Sequence, residues 1–600
     1  MLRAIGIDLG TTKSVVAALC GGEPQAIANR AGSPITPSVL ALSTTGELLV
    51  GRAARDRLAE EPALGVRSFC SRLGQATTVP FNGRSYTPSE LVAIFLARLR
   101  EDAEVALGEP VRRAVLTLPV SSDQSYLADL RRAAALAGLQ VLRLCPAPMA
   151  AALAYSLAHP DAHPQTLLVF DLGGSYLDVA VYRLFRGALT VLGLAGEGWL
   201  GGDDLTEGIV AHLLRYLQHR RRIPPDETQA GQQELRQRLH VAAEQVKVAL
   251  STVEQASFSL SPRATGLSTG LGETLTRGQF EAMARPQLEE ALAVAERAVL
   301  AGGLSRESVD GILLVGGATQ VPLLEEMLAE RYRQARFRRD FNPLLGVAMG
   351  AAALAGMQAE LVCPTCGLAN PVKAPVCRRC GKSLAGEERV CCRRCFLPND
   401  ARRQVCRKCG GSLRPALRWL PRSMSERICW RCGAPARRQR SVCAGCHAPL
   451  YGASPTGLRC DLCGLVTEAG ASSCPACGQV VAPFIGHVAS RSLGIESPDG
   501  SLDVVLPQGH SIPSPQPAYR QFRTLGADQR HFEIAIYEGD RPVARENAPC
   551  GRLRLALPEG LPPESVVRVA FSLDRDGTLA VRAALDDGSG TEVDAYLERE

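Results

Sequence analysis

Sixteen cysteines form the pattern with the clearest chemistry, four copies of the spacing C-x2-C-x10-C-x2-C. A gap of two residues lets both thiolates of a pair face one ion, and two facing pairs complete the tetrahedron that Zn²⁺ prefers. Because thiolates fill all the positions, the pattern predicts closed, structural zinc ribbons. The four ligand sets are Cys363, Cys366, Cys377 and Cys380; Cys392, Cys395, Cys406 and Cys409; Cys429, Cys432, Cys443 and Cys446; and Cys460, Cys463, Cys474 and Cys477.

Details of these ribbons stay open. Cys391 precedes Cys392, although only Cys392 keeps the repeat, and His447 could replace Cys446 as a ligand. Residues 361–480 are also basic, with 20 lysines and arginines against 6 aspartates and glutamates. Zinc–tetrathiolate centres are anionic, so neighbouring arginines would offset their charge. A docking surface for a protein is the second explanation, and a nucleic-acid surface is the least favoured.

Two further segments place an aspartate at the end of a predicted strand, directly before a glycine turn. Asp8 precedes Gly10, and Asp171 precedes a pair of glycines. Glycine lets backbone N–H groups approach phosphate oxygens, and carboxylates at strand ends can hold a hydrated Mg²⁺. A third glycine turn, at 314–319, joins a strand to a helix. Any one of these could be a bare turn, but their order favours a phosphate site, and the pattern GxxxxGK[ST] is absent.

The chain divides into three regions of different composition, and their predicted strands and helices would position these residues. Up to about residue 360, β-rich runs such as AIGIDL and TLLVFDL alternate with amphipathic helical patterns, which indicates an α/β domain with both sheet faces covered. Residues 361–482 lose this periodicity, and Cys, Arg, Pro and Gly dominate. From residue 483 onward, short alternating strands separated by turns such as DGS and RDGT predict an antiparallel β-sandwich.

Length and composition set the class of protein. A chain of 600 residues is too long for one core, so we expect several domains. The composition is 46% hydrophobic and 21% charged, and the net charge of +6 is too small to indicate a nucleic-acid partner. The N-terminus does not have the pattern of a signal peptide, and no stretch approaches the roughly 20 apolar residues that span a bilayer. We therefore expect a soluble, cytoplasmic protein without a membrane partner.

Longer segments resemble one family. GIDLGTTKSVVA, LVFDLGGSYLDVAV and ILLVGGATQVP are similar to the two phosphate segments and the adenosine segment of the heat-shock 70 kDa (DnaK-type) chaperones. ITPSVLAL, AVLTLPVSSDQS, AAALAYSL and LGGDDL agree in order with further segments of that family. The similarity covers residues 1 to about 357. It implies an actin-like ATPase fold that binds ATP or ADP with Mg²⁺.

The resemblance also assigns roles to single residues. Asp8 and Asp171 would be the catalytic carboxylates, and Asp171 would anchor the hydration shell of Mg²⁺. The residues implied at the phosphates are Gly10, Thr11, Thr12, Lys13, Gly173, Gly174, Ser175 and Gly202. The residues implied at the ribose and adenine are Glu244, Lys247, Ser251, Gly316 and Gly317.

Several catalytic groups of that family are replaced here. Cys70 stands where the family has a lysine that neutralises phosphate charge, and Ala147 where it has a glutamate at the metal's water shell. Tyr176 replaces a threonine of the second phosphate turn. Because phosphoryl transfer depends on charge stabilisation, we expect nucleotide binding with weak or lost hydrolysis. Arg67 or Arg72 could substitute for the missing lysine.

The C-terminal segments SRSLGIESPDGSLDVVLPQGHSIP and VVRVAFSLDRDGTLAVRAAL resemble the family's peptide-binding β-sandwich. Such a groove combines main-chain hydrogen bonds with an apolar pocket for an extended peptide. The alternative is that the same side chains simply form the core. The sequence ends without the family's helical lid, so bound peptide should exchange quickly. The resemblance implies Ile495, Phe522, Phe532, Ile534 and Val567 in the groove, with Pro498 and Leu525 as the arch above it.

The predicted architecture is thus multidomain. It comprises an actin-like α/β ATPase domain (1–360), a first pair of zinc ribbons (361–412), a linker (413–427), a second pair of ribbons (428–482) and a peptide-binding antiparallel β-sandwich (483–600). Expected partners are unfolded or extended polypeptides, co-chaperones and a protein docked by the ribbons. The competing hypotheses are a fully active folding chaperone and a zinc-ribbon regulator or nucleic-acid binder.

Overall fold

The computed structural model describes residues 3–20, 22–159, 163–185, 188–219, 229–260, 271–357, 360–362, 369–371, 389–391, 395, 397–400, 403, 405–410, 426–428, 435–437, 487–524, 526, 529–558, 561–586 and 592–598. Its contacts define two compact units. The first comprises Met1–Pro119 with Leu130–Phe484, and the second comprises Val120–Asp129 with Ile485–Glu600.

The first eleven strands build a mixed sheet, a small three-stranded sheet and a hairpin. They are β1 (Arg3–Leu9), β2 (Lys13–Cys20), β3 (Glu23–Ala26), β4 (Ile35–Pro37), β5 (Val39–Leu42), β6 (Leu48–Val50), β7 (Gly65–Arg67), β8 (Val79–Phe81), β9 (Arg84–Tyr86), β10 (Val111–Leu118) and β11 (Gln140–Pro146). The mixed sheet has the order β11-β10-β1-β2-β3, with β4 beside β2, and β1 lies parallel to β10 but antiparallel to β2. The turn that follows Asp8 therefore joins two neighbouring strands of this sheet.

A second mixed sheet carries the second aspartate turn. The next seven strands are β12 (Gln165–Leu172), β13 (Tyr176–Phe185), β14 (Ala188–Gly198), β15 (Gln255–Leu260), β16 (Leu271–Thr276), β17 (Gly311–Val315) and β18 (Arg336–Phe337). The sheet has the order β14-β13-β12-β17-β18, and β15 and β16 form a separate hairpin. Because β12 is antiparallel to β13 but parallel to β17, the turns after β12 and β17 lie at the same edge.

Nine α-helices lie in the described part of the chain before the cysteine-rich region. They are α1 (Arg52–Glu60), α2 (Pro88–Leu107), α3 (Gln124–Leu136), α4 (Ala147–Ala158), α5 (Gly202–His219), α6 (Gln229–Leu250), α7 (Arg277–Ala301), α8 (Pro322–Arg331) and α9 (Gly346–Met357). A Cβ at Gly6 would lie 2.1 Å from the backbone nitrogen of Ala352, so glycine lets α9 pack closely on β1. The α/β alternation predicted for this region is confirmed.

The described residues of the cysteine-rich region form three short hairpins. They are β19 (Glu360–Val362) with β20 (Ala369–Pro371), β21 (Arg389–Cys391) with β22 (Pro398–Asp400), and β23 (Glu426–Ile428) with β24 (Pro435–Arg437). All three pair antiparallel. The predicted zinc ligands that lie outside the described residues are Cys363, Cys366, Cys377, Cys380, Cys392, Cys429, Cys432, Cys443, Cys446, Cys460, Cys463, Cys474 and Cys477.

The second unit is built on antiparallel strands. They are β25 (His487–Val488), β26 (Leu493–Glu496), β27 (Leu502–Leu506), β28 (Ser511–Ile512), β29 (Ala518–Arg523), β30 (His531–Glu538), β31 (Ala548–Ala556), β32 (Val566–Leu573), β33 (Leu579–Leu585) and β34 (Glu592–Glu598). Eight of them follow the order β27-β26-β30-β31-β34-β33-β32-β29 around one apolar core. The two edge strands meet where Arg520 donates from Nε (2.7 Å) and Nη2 (2.8 Å) to the carboxylate of Asp503.

Within the described residues, no helix combines the length and apolar character needed to cross a membrane.

Candidate nucleotide and metal sites

The first phosphate turn is held tightly by its own backbone. A Cβ at Gly10 would lie 2.2 Å from the carbonyl oxygen of Lys13, so a larger residue has no room here. Ser38 Oγ donates to the carbonyl oxygen of Gly10 at 2.8 Å. At the end of β1, Thr117 donates to Oδ1 of Asp8 at 2.9 Å. The turn and its carboxylate are therefore fixed before any ligand binds.

The first and second phosphate turns lie face to face. A Cβ at Gly174 would lie 2.5 Å from Cγ2 of Thr12 and 2.7 Å from its Oγ1, so this side chain contacts the backbone of the second turn. The N–H of Gly173 donates to the carbonyl oxygen of Tyr176 at 2.9 Å and closes the second turn. Thr11 and Ser175 are both buried beside these contacts. Turns from two different sheets thus converge, as the sequence predicts.

The glycine turn at the start of α5 is hydrogen-bonded to the second phosphate turn. The N–H of Gly202 donates to the carbonyl oxygen of Gly173 at 2.9 Å, and the N–H of Asp203 donates to that of Gly174 at 2.7 Å. Ser175 Oγ donates to Oδ2 of Asp203 at 3.2 Å. The phosphate residues of the second sheet therefore form one connected network.

Three carboxylates gather at the strand ends. Burial raises the pKa of Asp8 to about 6, against the opposing effect of the hydrogen bond from Thr117. Burial, followed by the negative charges of Asp178 and Asp8, raises the pKa of Asp171 well above its ordinary value. Asp178 stands directly opposite Asp171 in the β12–β13 register. Such a cluster suits a hard divalent cation such as Mg²⁺, whose charge would offset the repulsion.

The diglycine turn after β17 borders the same carboxylates. Gly316 has φ 85°, and a Cβ there would lie 2.3 Å from the carbonyl oxygen of Leu172 and 2.8 Å from Oδ1 of Asp171. A Cβ at Gly317 would lie 3.4 Å from Nζ of Lys13. The structure thus places the ammonium group of Lys13, from the first turn, beside the diglycine turn that follows β17.

Helix α6 supplies a second cation. The buried ammonium group of Lys247 donates to the carbonyl oxygen of Gly202 and to Oγ1 of Thr206, the latter at 2.7 Å. Burial lowers the pKa of Lys247, and the charge of the half-buried Glu244 opposes that change. Ser251 lies just past the end of α6, where its hydroxyl approaches the carbonyl oxygen of Lys247 at 3.5 Å. Lys247 therefore contacts the phosphate turn, whereas the resemblance assigned it to the ribose and adenine.

The sequence predicts Arg67 as a possible substitute for the missing lysine, but it does not predict the polar and charged groups around that arginine. Arg67 donates from Nη1 to Nδ1 of His240 at 2.6 Å. Burial, followed by the charge of Arg67, lowers the pKa of His240 to about 3, so the ring is neutral. Burial raises the pKa of Asp203, and the charges of Lys247 and Arg67 oppose that rise. Asp178 was missed too, although its spacing from the turn could have placed it in the hairpin.

The residues that replace the family's catalytic groups are neutral. Cys70 begins a 3-10 turn, is only 2% exposed, and burial raises the pKa of its thiol. Ala147 is the first residue of α4. The phenol of Tyr176 donates to the carbonyl oxygen of Ser71 at 3.3 Å.

The residues predicted for the peptide groove differ in their burial. Phe522 and Phe532 are partly buried against the core of the second unit, with ring centroids 6.3 Å apart. The other described members are the buried residues Ile495, Ile534 and Val567 and the exposed Pro498, while Leu525 lies outside the described residues.

Three predicted zinc ligands of the second ribbon converge. The sulfur atoms of Cys395, Cys406 and Cys409 all lie within 4.8 Å of one another. Asn399 Nδ2 donates to Sγ of Cys406 at 3.4 Å, and the N–H of Gly410 donates to the carbonyl oxygen of Cys406 at 2.9 Å. Thiol groups at this separation suit a tetrahedral Zn²⁺ site, for which the repeat supplies Cys392 as the fourth ligand.

Comparisons with known proteins agree with this geometry. A sequence profile described as Hsp70 protein matches residues 4–80, 71–362 and 477–599. The chaperone protein DnaK of Thermotoga neapolitana is 29% identical over an alignment of 598 residues that covers 98% of this chain and 79% of that DnaK. The profile does not match residues 363–476. This segment contains every cysteine of the four repeats except Cys477. Since its matches cover most of the chain in order, this protein belongs to the Hsp70 family, with the actin-like ATPase fold in its first part.

Proposed function

We propose that this protein is a chaperone-like ATP-binding protein with weak or lost hydrolysis. It would hold extended apolar peptide segments and bind partners through zinc ribbons. Membership of the Hsp70 family and the similarity to a protein named as a chaperone support the nucleotide and chaperone parts of the proposal.

The observation that carries the nucleotide part is the contact between Thr12 and Gly174. It joins the two phosphate turns where Asp8 and Asp171 face a common space. A Mg²⁺–nucleotide would find carboxylates for the hydrated ion, inward-turning glycine backbone for the phosphates, and the ammonium group of Lys13. These groups belong to different sheets, so the fold alone brings them together.

Reduced hydrolysis is proposed because two charged groups of the family are replaced by uncharged ones. A buried thiol at Cys70 and a methyl group at Ala147 cannot stabilise the charge that develops during phosphoryl transfer. Loss of one such electrostatic group typically costs on the order of 10²–10³ in rate. The remaining carboxylates are enough to bind Mg²⁺, so we expect binding to persist.

Peptide binding is proposed for the second unit. Phe522 and Phe532 form an aromatic pair that is only partly buried at the edge of its core. Aromatic surface of this kind suits apolar side chains of an extended peptide. Ile495, Ile534 and Val567 would support this surface from the core behind it.

Zinc is proposed at all four cysteine repeats, on the strength of the constant spacing and of the cluster formed by Cys395, Cys406 and Cys409. Segments this short have little apolar core, so metal binding would supply their folding free energy. Once folded around zinc, ribbons that have no other function would be available to bind a protein partner.

A working ATPase is the second candidate, and Arg67 is the observation that favours it. Its charge acts on Asp203, which is hydrogen-bonded to Ser175 of the second phosphate turn. An arginine so placed could supply part of the charge that the missing lysine would provide.

Calorimetric titration of ATP and a phosphate-release assay on the same zinc-loaded protein would test the proposal. We expect Mg²⁺-dependent binding with turnover at least about 10²-fold below that of an ordinary Hsp70 protein. Turnover at the ordinary rate, lost in Arg67→Ala, would support the second candidate instead. No binding at millimolar nucleotide would overturn both.

A further inference from the structure

The second zinc ribbon, residues 389–410, contacts the nucleotide-binding part of its own chain. Its strand β22 packs against α2 within the first unit. Leu397, Cys395 and Asn399 are almost completely buried. A ribbon this small cannot enclose three of its own side chains, so the neighbouring surface must cover them.

Tyr86, at the end of β9, is the centre of this contact. Its side chain is fully buried, and its hydroxyl donates to the carbonyl oxygen of Cys395 at 2.9 Å. That carbonyl belongs to a residue whose sulfur lies in the thiol cluster. A buried phenol needs such a partner, because an unsatisfied hydroxyl would be costly.

An ion pair reinforces the contact beside Tyr86. Nζ of Lys408 lies 2.5 Å from Oε2 of Glu90 and 4.4 Å from the centroid of the Tyr86 ring. Glu90 is the capping-box residue of α2 and also accepts from the N–H of Thr87 at 3.0 Å. In the sequence, Lys408 lies between Cys406 and Cys409. The ribbon therefore contacts the N-terminus of α2 through the same loop that would hold the metal.

A third contact reaches the cluster itself. The guanidinium of Arg84 interacts with the side chain of Cys409. Asn399 fixes the other side of the cluster, donating to Cys406 and accepting from the N–H of Arg407 at 3.0 Å. Donors to thiolate sulfur orient the ligands of a zinc centre and offset its negative charge.

We propose that Zn²⁺ bound by the second ribbon holds that ribbon against Tyr86 and Glu90. The second ribbon is then a metal-dependent brace of the nucleotide-binding region rather than a site for an external partner. This inference rests on the zinc binding proposed above. Each ligating thiol would release its proton to solvent as the thiolate–metal bond forms. Without the metal, the loops that present the carbonyl of Cys395 and the ammonium of Lys408 would lose their common anchor.

The first test is zinc stoichiometry in the full-length chain. Metal analysis should give four ions for the wild type and three each for Cys406→Ser and for the matched control Cys460→Ser in the fourth ribbon. The contact variants Tyr86→Phe and Lys408→Ala should keep all four, because neither removes a ligand. Equal zinc in the wild type and Cys406→Ser would refute the metal site, and with it the brace.

The second test is amide hydrogen exchange of residues 79–95, which span β8, β9 and the start of α2. Cys406→Ser, Tyr86→Phe and Lys408→Ala should each raise exchange there by about fivefold, since each removes part of the contact. Cys460→Ser should leave it unchanged. Loss of one zinc in Cys406→Ser with unchanged exchange at 79–95 would overturn the brace while leaving zinc binding intact.

Discussion

The phenol of Tyr176 donates a hydrogen bond to the carbonyl oxygen of Ser71, 3.3 Å away, and so joins the second phosphate turn to the residue that follows Cys70. This hydrogen bond joins two departures from the family. Tyr176 replaces a threonine, and the turn that it contacts carries Cys70 in place of a lysine. The phenol of Tyr176 is therefore hydrogen-bonded to the residue next to the position where the family has its lysine.

Restoring hydrolysis should therefore require more than one substitution. Cys70→Lys alone should raise phosphate release little, because Ala147 would still leave one charged group missing and Tyr176 would still be hydrogen-bonded to the turn that carries the new lysine. Cys70→Lys combined with Tyr176→Thr and Ala147→Glu should raise single-turnover hydrolysis by about 10²-fold or more, since two charged groups would return. Single-turnover phosphate release at saturating ATP would measure this.

Arg52→Lys, on the exposed face of α1, is the control and should leave the rate unchanged. A triple variant that binds ATP as the wild type does, yet hydrolyses it no faster, would show that the missing charges do not limit the reaction.

Asp171→Asn should separate stability from metal binding. Burial and the charges of Asp178 and Asp8 raise the pKa of Asp171, so the ionised cluster strains the protein in the absence of a cation. Neutralising one member should raise the unfolding temperature without Mg²⁺ by about 2 °C or more and should abolish the effect of Mg²⁺ on ATP affinity. Thermal unfolding with and without Mg²⁺, together with ATP titrations, would measure both effects.

The control is Asp56→Asn on the exposed face of α1, which should change neither quantity. If Asp171→Asn lowered the unfolding temperature and kept the Mg²⁺ effect, the carboxylates would have a structural role instead.

The phosphate turns were predictable because their chemistry is local. A strand that ends in aspartate and continues through glycine closes its own turn, and Gly10 and Gly173 do so in the structure. The predicted α/β alternation follows from periodicity in the same way. The pairs Arg67–His240 and Tyr86–Cys395 could not be predicted, because each joins distant segments, and His240 and Tyr86 belong to no motif. Only the folded chain places an arginine of β7 on α6.

The second unit should show a pH dependence that originates at Glu538. Burial raises the pKa of this carboxyl from 4.5 to about 7, although it accepts from the N–H of Gln124. The folded state therefore binds the proton more tightly than the unfolded state. The free energy of unfolding should fall as the pH rises from 4.5 to about 7 and stay constant above that value.

Glu538→Gln should remove this dependence and stabilise the second unit by up to about 3 kcal/mol above pH 7. Amide exchange of β30 and β31, corrected for its intrinsic pH dependence, would report the difference between variant and wild type. Glu533→Gln, on an exposed position of the same strand, is the control. Parallel pH profiles for wild type and Glu538→Gln would show that Glu538 ionises in the folded state as it does in the unfolded chain.

Zinc in the second ribbon should also strengthen nucleotide binding. The ribbon contacts the start of α2, and further along α2 the ring of Phe95 packs edge-on against Phe69, with centroids 5.7 Å apart. Phe69 immediately precedes Cys70, whose turn is hydrogen-bonded to Tyr176 at the second phosphate turn. Loss of the brace should therefore loosen one wall of the nucleotide site, and because linkage is reciprocal, nucleotide should slow the loss of zinc.

Titration of a fluorescent adenine nucleotide would measure this coupling. Cys406→Ser should weaken the nucleotide affinity by about fivefold or more, and Cys460→Ser should not. Phe95→Leu in the zinc-loaded chain should weaken it to a smaller extent, because the contact with Phe69 is then reduced but the ribbon stays in place. Equal affinities for Cys406→Ser and Cys460→Ser would mean that the brace stabilises α2 without reaching the phosphates, since the two variants differ only in which ribbon has lost its metal.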